Sequence, residues 1–385
     1  MAKLSYAQLT ALVANVITTA KISNASFEET ANNTVGLIDK VGKIITLDTV
    51  FTIDKLSRFD GEYLPLAKTI EEWQEDLILP SDYDASGANA LSPHNPTYRP
   101  VFYSYTIGRK KVATSIYNND IERCVNDQAQ FVSIVAMKTK RLSDSMAQYR
   151  YALKREMIAH YIALAKSEMS STTTFAYTSS YAVNALVRNA DTATAYGIVV
   201  KPYTASTTGI TSWADAVAAG YIIVLDLVKQ IAVPVDTNTG EAFIKAVKED
   251  VEIASDISEG HSLNGNTLGV TSDMVLLVKQ GVIPTLQVDT LAGAFNKEEL
   301  AFPTDVIVVK DFGSTTVTVG ESSVDVSKAY AVLVDGRGMR LHNTYNATRS
   351  NENGDGDFLN IFRHTEDTPY LSRNTFIKVY EAPSA

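Results

Sequence analysis

Asn351, Asn353, Asp355 and Asp357 place four oxygen-bearing side chains at alternate positions, with Gly354 and Gly356 between them. Such a set could ligate a hard cation such as calcium. It lacks the order and terminal Glu of a helix–loop–helix calcium loop, so a flexible polar turn is the preferred reading. A second group is basic. Lys138, Lys140, Arg141, Arg150, Lys154 and Arg155 fall in one helical stretch, and Phe131–Ser170 holds seven Lys/Arg against three Asp/Glu in a chain of net charge −10. Cations so placed suit contact with phosphate, and a solvated helix face is the plainer alternative. Phosphate neutralisation dominates nucleic-acid affinity, so an acidic chain should touch DNA weakly and without sequence preference.

Signatures of catalysis are otherwise lacking. The chain has no Gly-rich phosphate loop ending in Lys-Ser/Thr, no dinucleotide fingerprint, no nucleophile elbow and no His-Glu-x-x-His. His94, His160, His261, His342 and His364 are scattered without zinc-site spacing. Cys124, the lone cysteine, excludes an internal disulfide and reads as a small packing residue. Trp213 and the 19 tyrosines are spread along an acidic chain, which favours packing over base stacking. No enzyme, metal or cofactor is expected.

The elements around these residues are ordinary in composition and unusual in order. With 385 residues, 45% hydrophobic and 20% charged, the chain is globular and large enough for two or three lobes. No apolar run reaches membrane-spanning length, and the first ten residues do not read as a secretion signal. Sequons at Asn24, Asn32 and Asn346 therefore read as chance matches. Residues 1–60 read as helix, turn, helix, with apolar stripes through Leu9–Ile17 and Val35–Ile45 and no compact partner alongside. Ala67–Ile78 and Tyr98–Thr114 read as extended segments around a Pro-, Gly- and Asn-rich loop, a long hairpin with no third strand beside it.

Residues 117–169 follow as a long helix, its face marked by Leu142, Met146, Tyr149, Leu153, Met157, Tyr161 and Leu164. Ser171–Ser212 suggests loops and short strands, Trp213–Ile231 a helix capped by Thr211 or Ser212, and Glu241–Ile257 a second, acidic helix. Met274–Val278 and Val306–Val309 read as buried strands, with a helix and turn within Val282–Asn296. The tail is mostly strand: Ala329–Val334, then Gly338–Tyr345 after a tight turn at Asp335-Gly336-Arg337-Gly338. Phe358–Phe362 and Thr375–Tyr380 complete it, with Arg349–Gly356 as a loop.

The tail carries the most specific likeness to a known family. Tyr330-Ala-Val-Leu-Val-Asp-Gly-Arg-Gly-Met-Arg-Leu341, Asn351-Glu-Asn-Gly-Asp-Gly-Asp-Phe358, Ile361-Phe-Arg-His-Thr-Glu-Asp-Thr368 and Asn374-Thr-Phe-Ile-Lys-Val379 resemble the closing strands of tailed-phage major capsid proteins. Val288-Asp-Thr-Leu-Ala-Gly-Ala-Phe-Asn296, after Met274–Val278, is similar to the lobe of capsid proteins from short-tailed phages (podoviruses) of Gram-positive bacteria.

The resemblance implies an α+β, Hong Kong 97-like fold. Its parts would be an N-terminal arm (1–60), an extended hairpin (61–112), a peripheral domain with a spine helix (113–170 and 325–385) and an α/β axial domain (171–324). It implies a structural subunit forming hexamers and pentamers of an icosahedral shell around double-stranded DNA, located in the virion and assembled in the host cytoplasm. A separate scaffolding protein and a portal are the implied partners, with no membrane. The family's crosslinked form needs a Lys–Asn isopeptide trio that does not align here, so no covalent crosslink is expected. The other reading of the same fold is a bacterial encapsulin-type nanocompartment shell.

Overall fold

A computed structural model describes residues 54–65, 70–73, 101–103, 107–117, 128–190, 192, 195–267, 269–270, 273–285 and 304–383. The expectations for the arm before residue 54, His94, Cys124 and Val288–Asn296 lie outside them. In chain order the strands begin with β1 (Asp60–Tyr63), β2 (Ile70–Glu72), β3 (Val101–Tyr103) and β4 (Ile107–Tyr117), followed by helix α1 (Gln128–Glu168). Next come β5 (Leu186–Arg188), β6 (Tyr196–Val199), α2 (Trp213–Ala218), β7 (Ile222–Leu225), β8 (Val228–Gln230) and α3 (Thr237–Ala254). Then follow β9 (Ser258–Glu259), β10 (Asn266–Thr267), β11 (Met274–Lys279), α4 (Val282–Thr285) and β12 (Asp305–Val309). The last strands are β13 (Thr316–Val319), β14 (Ser322–Asp325), β15 (Ala329–Asp335), β16 (Met339–Asn353), β17 (Phe358–Leu371) and β18 (Ile377–Glu381).

Two compact units share this chain. Among described residues, one takes Gly108–Tyr151 and Asn343–Asp367, and the other takes Lys55–Ile107, Ala152–His342 and Thr368 onwards. α1, β16 and β17 run through both.

The second unit is built on a five-stranded sheet ordered β12-β11-β15-β18-β8. β11 runs parallel to β12 and antiparallel to β15, which pairs antiparallel with β18. Every residue of β15 and β18 is buried. That double-sided burial is why both strands read as near-continuous apolar runs instead of alternating ones. α3 covers the sheet with Phe243, Ile244, Ala246 and Val247, which meet Leu276, Leu333, Phe376 and Tyr380 in one cluster. Its start is fixed by a capping box in which Asp236 accepts from Thr239 N at 2.8 Å. The C-terminal turns of α1 are buried around most of their girth, at Ile158, Ala159, Ile162, Ala163 and Ala165. Tyr161 Oη donates to Ser372 O at 3.0 Å, and Lys166 pairs with Glu381 at 2.5 Å, tying this half of the helix to the closing strands.

One expected element is corrected. Trp213–Ile231 is not a single helix: α2 stops at Ala218, and β7 and β8 follow. Gly220, at φ +69°, turns the chain, and the β-branched run Ile222-Ile223-Val224 pairs with β6. Ser212 does cap α2, accepting from Asp215 N at 3.2 Å. Around it Phe175, Tyr181, Tyr203, Trp213 and Tyr221 form an aromatic cluster beneath the sheet β5-β6-β7.

In the first unit, β17 lies between β16 and β4. The expected loop Arg349–Gly356 contracts to a short turn, because β16 continues to Asn353 and β17 starts at Phe358. Backbone pairing holds these polar residues extended although Thr348–Asn353 are exposed, a state without an apolar alternation to betray it.

Candidate assembly surfaces

In the second unit the segment leading to the hairpin is bolted down. Leu56 and Phe59 are 0% and 1% exposed. Between them Arg58 reaches Asp273 and, at 2.6 Å, Asp305, and these two carboxylates raise its pKa. Asp60 takes the Lys154 ammonium at 2.7 Å. The His342 ring nitrogen meets Glu62 O at 3.0 Å, and a Cβ on Gly61 would lie 2.5–2.7 Å from that ring, so the close approach requires glycine.

The hairpin base is pinned as well. β2 and β3 form an antiparallel pair, Ile70 opposite Tyr103, as a two-stranded sheet among the described residues. Glu72 accepts from Ser372 Oγ and, at 3.3 Å, from Arg373 N. Burial, reinforced by the Glu72 charge, pushes the neighbouring Tyr370 hydroxyl up to about 12. A cavity of about 360 Å³ opens here, lined by Glu72, Trp73, Arg337, Tyr370 and Asn374. Beside it the Asp335 carboxylate binds Arg337 at 2.8 Å across the tight turn, which Gly338 N closes on Asp335 O at 2.8 Å. Trp73, by contrast, is 60% exposed, and its indole N–H donates to Glu71 at 3.2 Å.

The first unit presents two unlike sheet faces. Ile116, Thr365 and Asp367 are buried on the face toward α1, where Arg363 donates to Ser143 at 2.7 Å and Arg150 pairs with Asp367 at 3.3 Å. On the other face side chains of β4 and β17 meet in a ladder: Arg109 with Glu366, Ser115 with Asn360, Tyr117 with Phe358. Arg109 also lies 4.0 Å over the Tyr345 ring, and Lys111 lies 5.6 Å over Phe362. These are cation–π contacts on an accessible surface.

The basic residues named from sequence do not act together. Lys154 is 1% exposed and held by Asp60, which removes it from any phosphate-facing set. Arg155 is paired with Asp311 and Arg150 with Asp367. Lys138 donates to Ser115 O at 2.6 Å. Lys140 is half-buried, and Arg141 is exposed. At the turn between β16 and β17 Asn353 Oδ1 accepts from Asp355 N and Gly356 N at 3.1 and 3.0 Å, and Asp357 takes a left-handed φ of 51°. That amide oxygen serves the turn's own backbone. Among the described residues no His/Cys/Asp/Glu group gathers to hold a metal ion, and no helix is long and apolar enough to cross a membrane. His160 is exposed, whereas His261 is buried against Phe376 with its ring nitrogen 3.3 Å from Asp226 O.

Sequence reading missed the clamps made by Arg58, Asp60 and Glu72. Each joins residues more than ninety positions apart, and no local pattern signals such a pair. They tie the chain from Arg58 to Glu72 to distant helix, strand and turn residues of the second unit.

Residues 4–196 and 222–375 match the family model of the Phi29-like phage major capsid protein. The chain belongs to that family. It is a structural capsid shell protein of a bacteriophage, with the α+β Hong Kong 97-like fold, and family membership decides for the phage capsid over the nanocompartment. Solved structures agree on the fold. The capsid of Staphylococcus phage Andhra superposes with a TM-score of 0.54 at 12% identity, covering 85% of this chain and 83% of that one. The capsid of Cyanophage P-SCSP1u gives 0.51 at 10% identity, covering 89% and 92%. No curated protein sequence matches this capsid chain. Between the two stretches matched by the capsid family lie residues 197–221, which carry Tyr203 and Trp213 of the aromatic cluster.

Proposed function

We propose that this capsid protein builds hexamers and pentamers that close into an icosahedral shell around double-stranded DNA. Of residues 61–112 the part between β1 and β4 lies over an adjacent subunit, and of residues 1–60 the part before Asp54 clasps another. Residues 113–170 with 325–385 act as the peripheral domain, and 171–324 form the axial domain at five-fold and six-fold centres. A separate scaffolding protein and a portal complete assembly in the host cytoplasm. Packaged DNA meets the inner surface without sequence preference, with Lys138, Lys140 and Arg141 as the basic residues of α1 best disposed to face it. The role is structural and not catalytic.

One observation carries the reading: β2 and β3 form a two-stranded ribbon, tethered through Glu72 at its Val101 end yet without a third strand among the described residues. Such a ribbon is marginal in water by itself. A neighbouring subunit supplies the missing surface, provided each contact buries on the order of 1,000 Å². Deleting Leu79–Pro96 tests this by electron microscopy of the expressed protein. Soluble subunits without shells are the expected result, and intact particles would end the proposal.

A further inference from the structure

Asn followed by Gly is the residue pair most prone to cyclise, because a second residue without a Cβ lets its amide nitrogen approach the Asn side-chain carbonyl carbon. The chain contains two such pairs, Asn264-Gly265 and Asn353-Gly354, and the fold treats them oppositely. Asn264 is 7% exposed. Its Nδ2 donates to Asn374 Oδ1, and its Oδ1 accepts from Arg373 Nε at 3.3 Å. The Gly265 amide that would have to attack is spent on Ser262 O at 3.0 Å, and Ile198 and Ile223 crowd its Cα. Asn353 and Gly354 are both exposed, and a Cβ on Gly354 would meet nothing within 4 Å. Asn353 Oδ1 accepts from Asp355 N and Gly356 N at 3.1 and 3.0 Å, which folds the side chain forward over the Gly354 peptide. The same two amides polarise the Asn353 carbonyl. They lie where they would hold the negative charge that gathers on Oδ1 when a nucleophile adds to Cγ.

We infer that Asn353 is a site of spontaneous covalent modification, ending as aspartate and isoaspartate. Hydroxide removes the Gly354 amide proton, and the nitrogen adds to Asn353 Cγ. The bond from Cγ to Nδ2 then breaks, and Nδ2 takes a proton from water and leaves as ammonia. Water opens the resulting succinimide ring at either carbonyl. One opening gives aspartate, and the other gives isoaspartate, in which the backbone runs through Cγ. Water is the co-reactant, and neither an oxidant nor an enzyme is needed. The product carries a new carboxylate beside Glu352, Asp355 and Asp357, and the isoaspartate form also lengthens the backbone at the end of β16. Both changes loosen the strand pair there, the first because like charges at short range repel.

The test incubates the full-length protein in mildly alkaline buffer and follows it by peptide mass spectrometry, with methyl transfer from an isoaspartyl methyltransferase as a second reporter. The Asn353 peptide should gain the mass difference between an amide and an acid, split into two chromatographic isomers and accept the methyl label. It should do so about tenfold faster than the Asn264 peptide, or more. In denaturant the two sites should convert at comparable rates, since the fold alone separates them. Gly354→Ala, for which the site has room, should keep its melting temperature and slow the reaction at Asn353 about tenfold or more. An Asn353 still amidated in the native protein after the denatured chain has reacted would overturn the inference. So would native Asn264 reacting as fast as Asn353. If Gly354→Ala fails to fold, the comparison of the two native sites still decides.

Discussion

In β15 every residue from Ala329 to Asp335 is buried, whereas in β16 every residue from Thr348 to Asn353 is exposed. Both are regular strands. The first is held by area removed from water on both faces, beneath Phe243 and Val247 of α3. The second is held by backbone pairing with β17, whose own first residue, Phe358, packs on Tyr117 of β4. The contrast separates a strand held by burial of its side chains from one held by pairing of its backbone.

That contrast can be broken or sharpened by substitution. Phe243→Ala should cost about 3–5 kcal/mol of unfolding free energy, since the ring is 0% exposed at the centre of the sheet's cluster. A loss as small as that from Phe362→Ala, measured by denaturant titration, would show that the two regions are equally self-supporting. Asp60→Asn should cost about 1.5–3 kcal/mol, because it weakens the partner of a Lys154 ammonium that is 1% exposed. Lys154→Met should cost less, since it removes the buried charge along with its bond. Equal losses would remove the charge argument.

Asp236→Ala should cost about 1 kcal/mol through the lost capping box of α3, read as a lower denaturant midpoint at unchanged slope. A pH titration resolves a smaller effect. Burial, followed by the nearby Lys378 charge, lowers the pKa of His261 in the folded state. Above about pH 6.5 the ring is neutral in both states and costs nothing. As pH falls below that value the unfolded chain takes up the proton first, so stability drops toward the folded pKa. His261→Phe should flatten that acid slope of the melting temperature while leaving its value at pH 8 nearly unchanged. An unchanged slope would show that His261 does not set it.

Some of this was readable from local pattern. β11 and β15 appear as apolar runs, α3 was expected over Glu241–Ile257 and covers Thr237–Ala254, and α1 is a stretch without Gly or Pro. α2 was overread because Trp213–Ile231 has helical spacing, while the pairing of Ile222–Leu225 with β6 is a long-range event that overrides it. The outer half of β16 was read as a loop because polar residues exposed on both faces leave no alternation. The expected hairpin arm Tyr98–Thr114 is divided instead: β3 pairs with β2, whereas β4 joins β17, a partner some 250 residues away that no local pattern announces.

The amino-acid sequence by itself therefore determined element type where a long period or an unbroken apolar run left no rival, as in α1, α3, β11 and β15, and the order of elements that points to a shell subunit. Only the tertiary structure decided which charges are spent inside the subunit. Lys154 was one of six basic residues on a helix until Asp60 was seen to hold it, and Arg58 had no sign of its pairing with Asp273 and Asp305. The reason is physical. Hydrophobic period is written in neighbouring residues, whereas the fate of a charge depends on which distant group the fold brings within bonding distance and on whether water remains there.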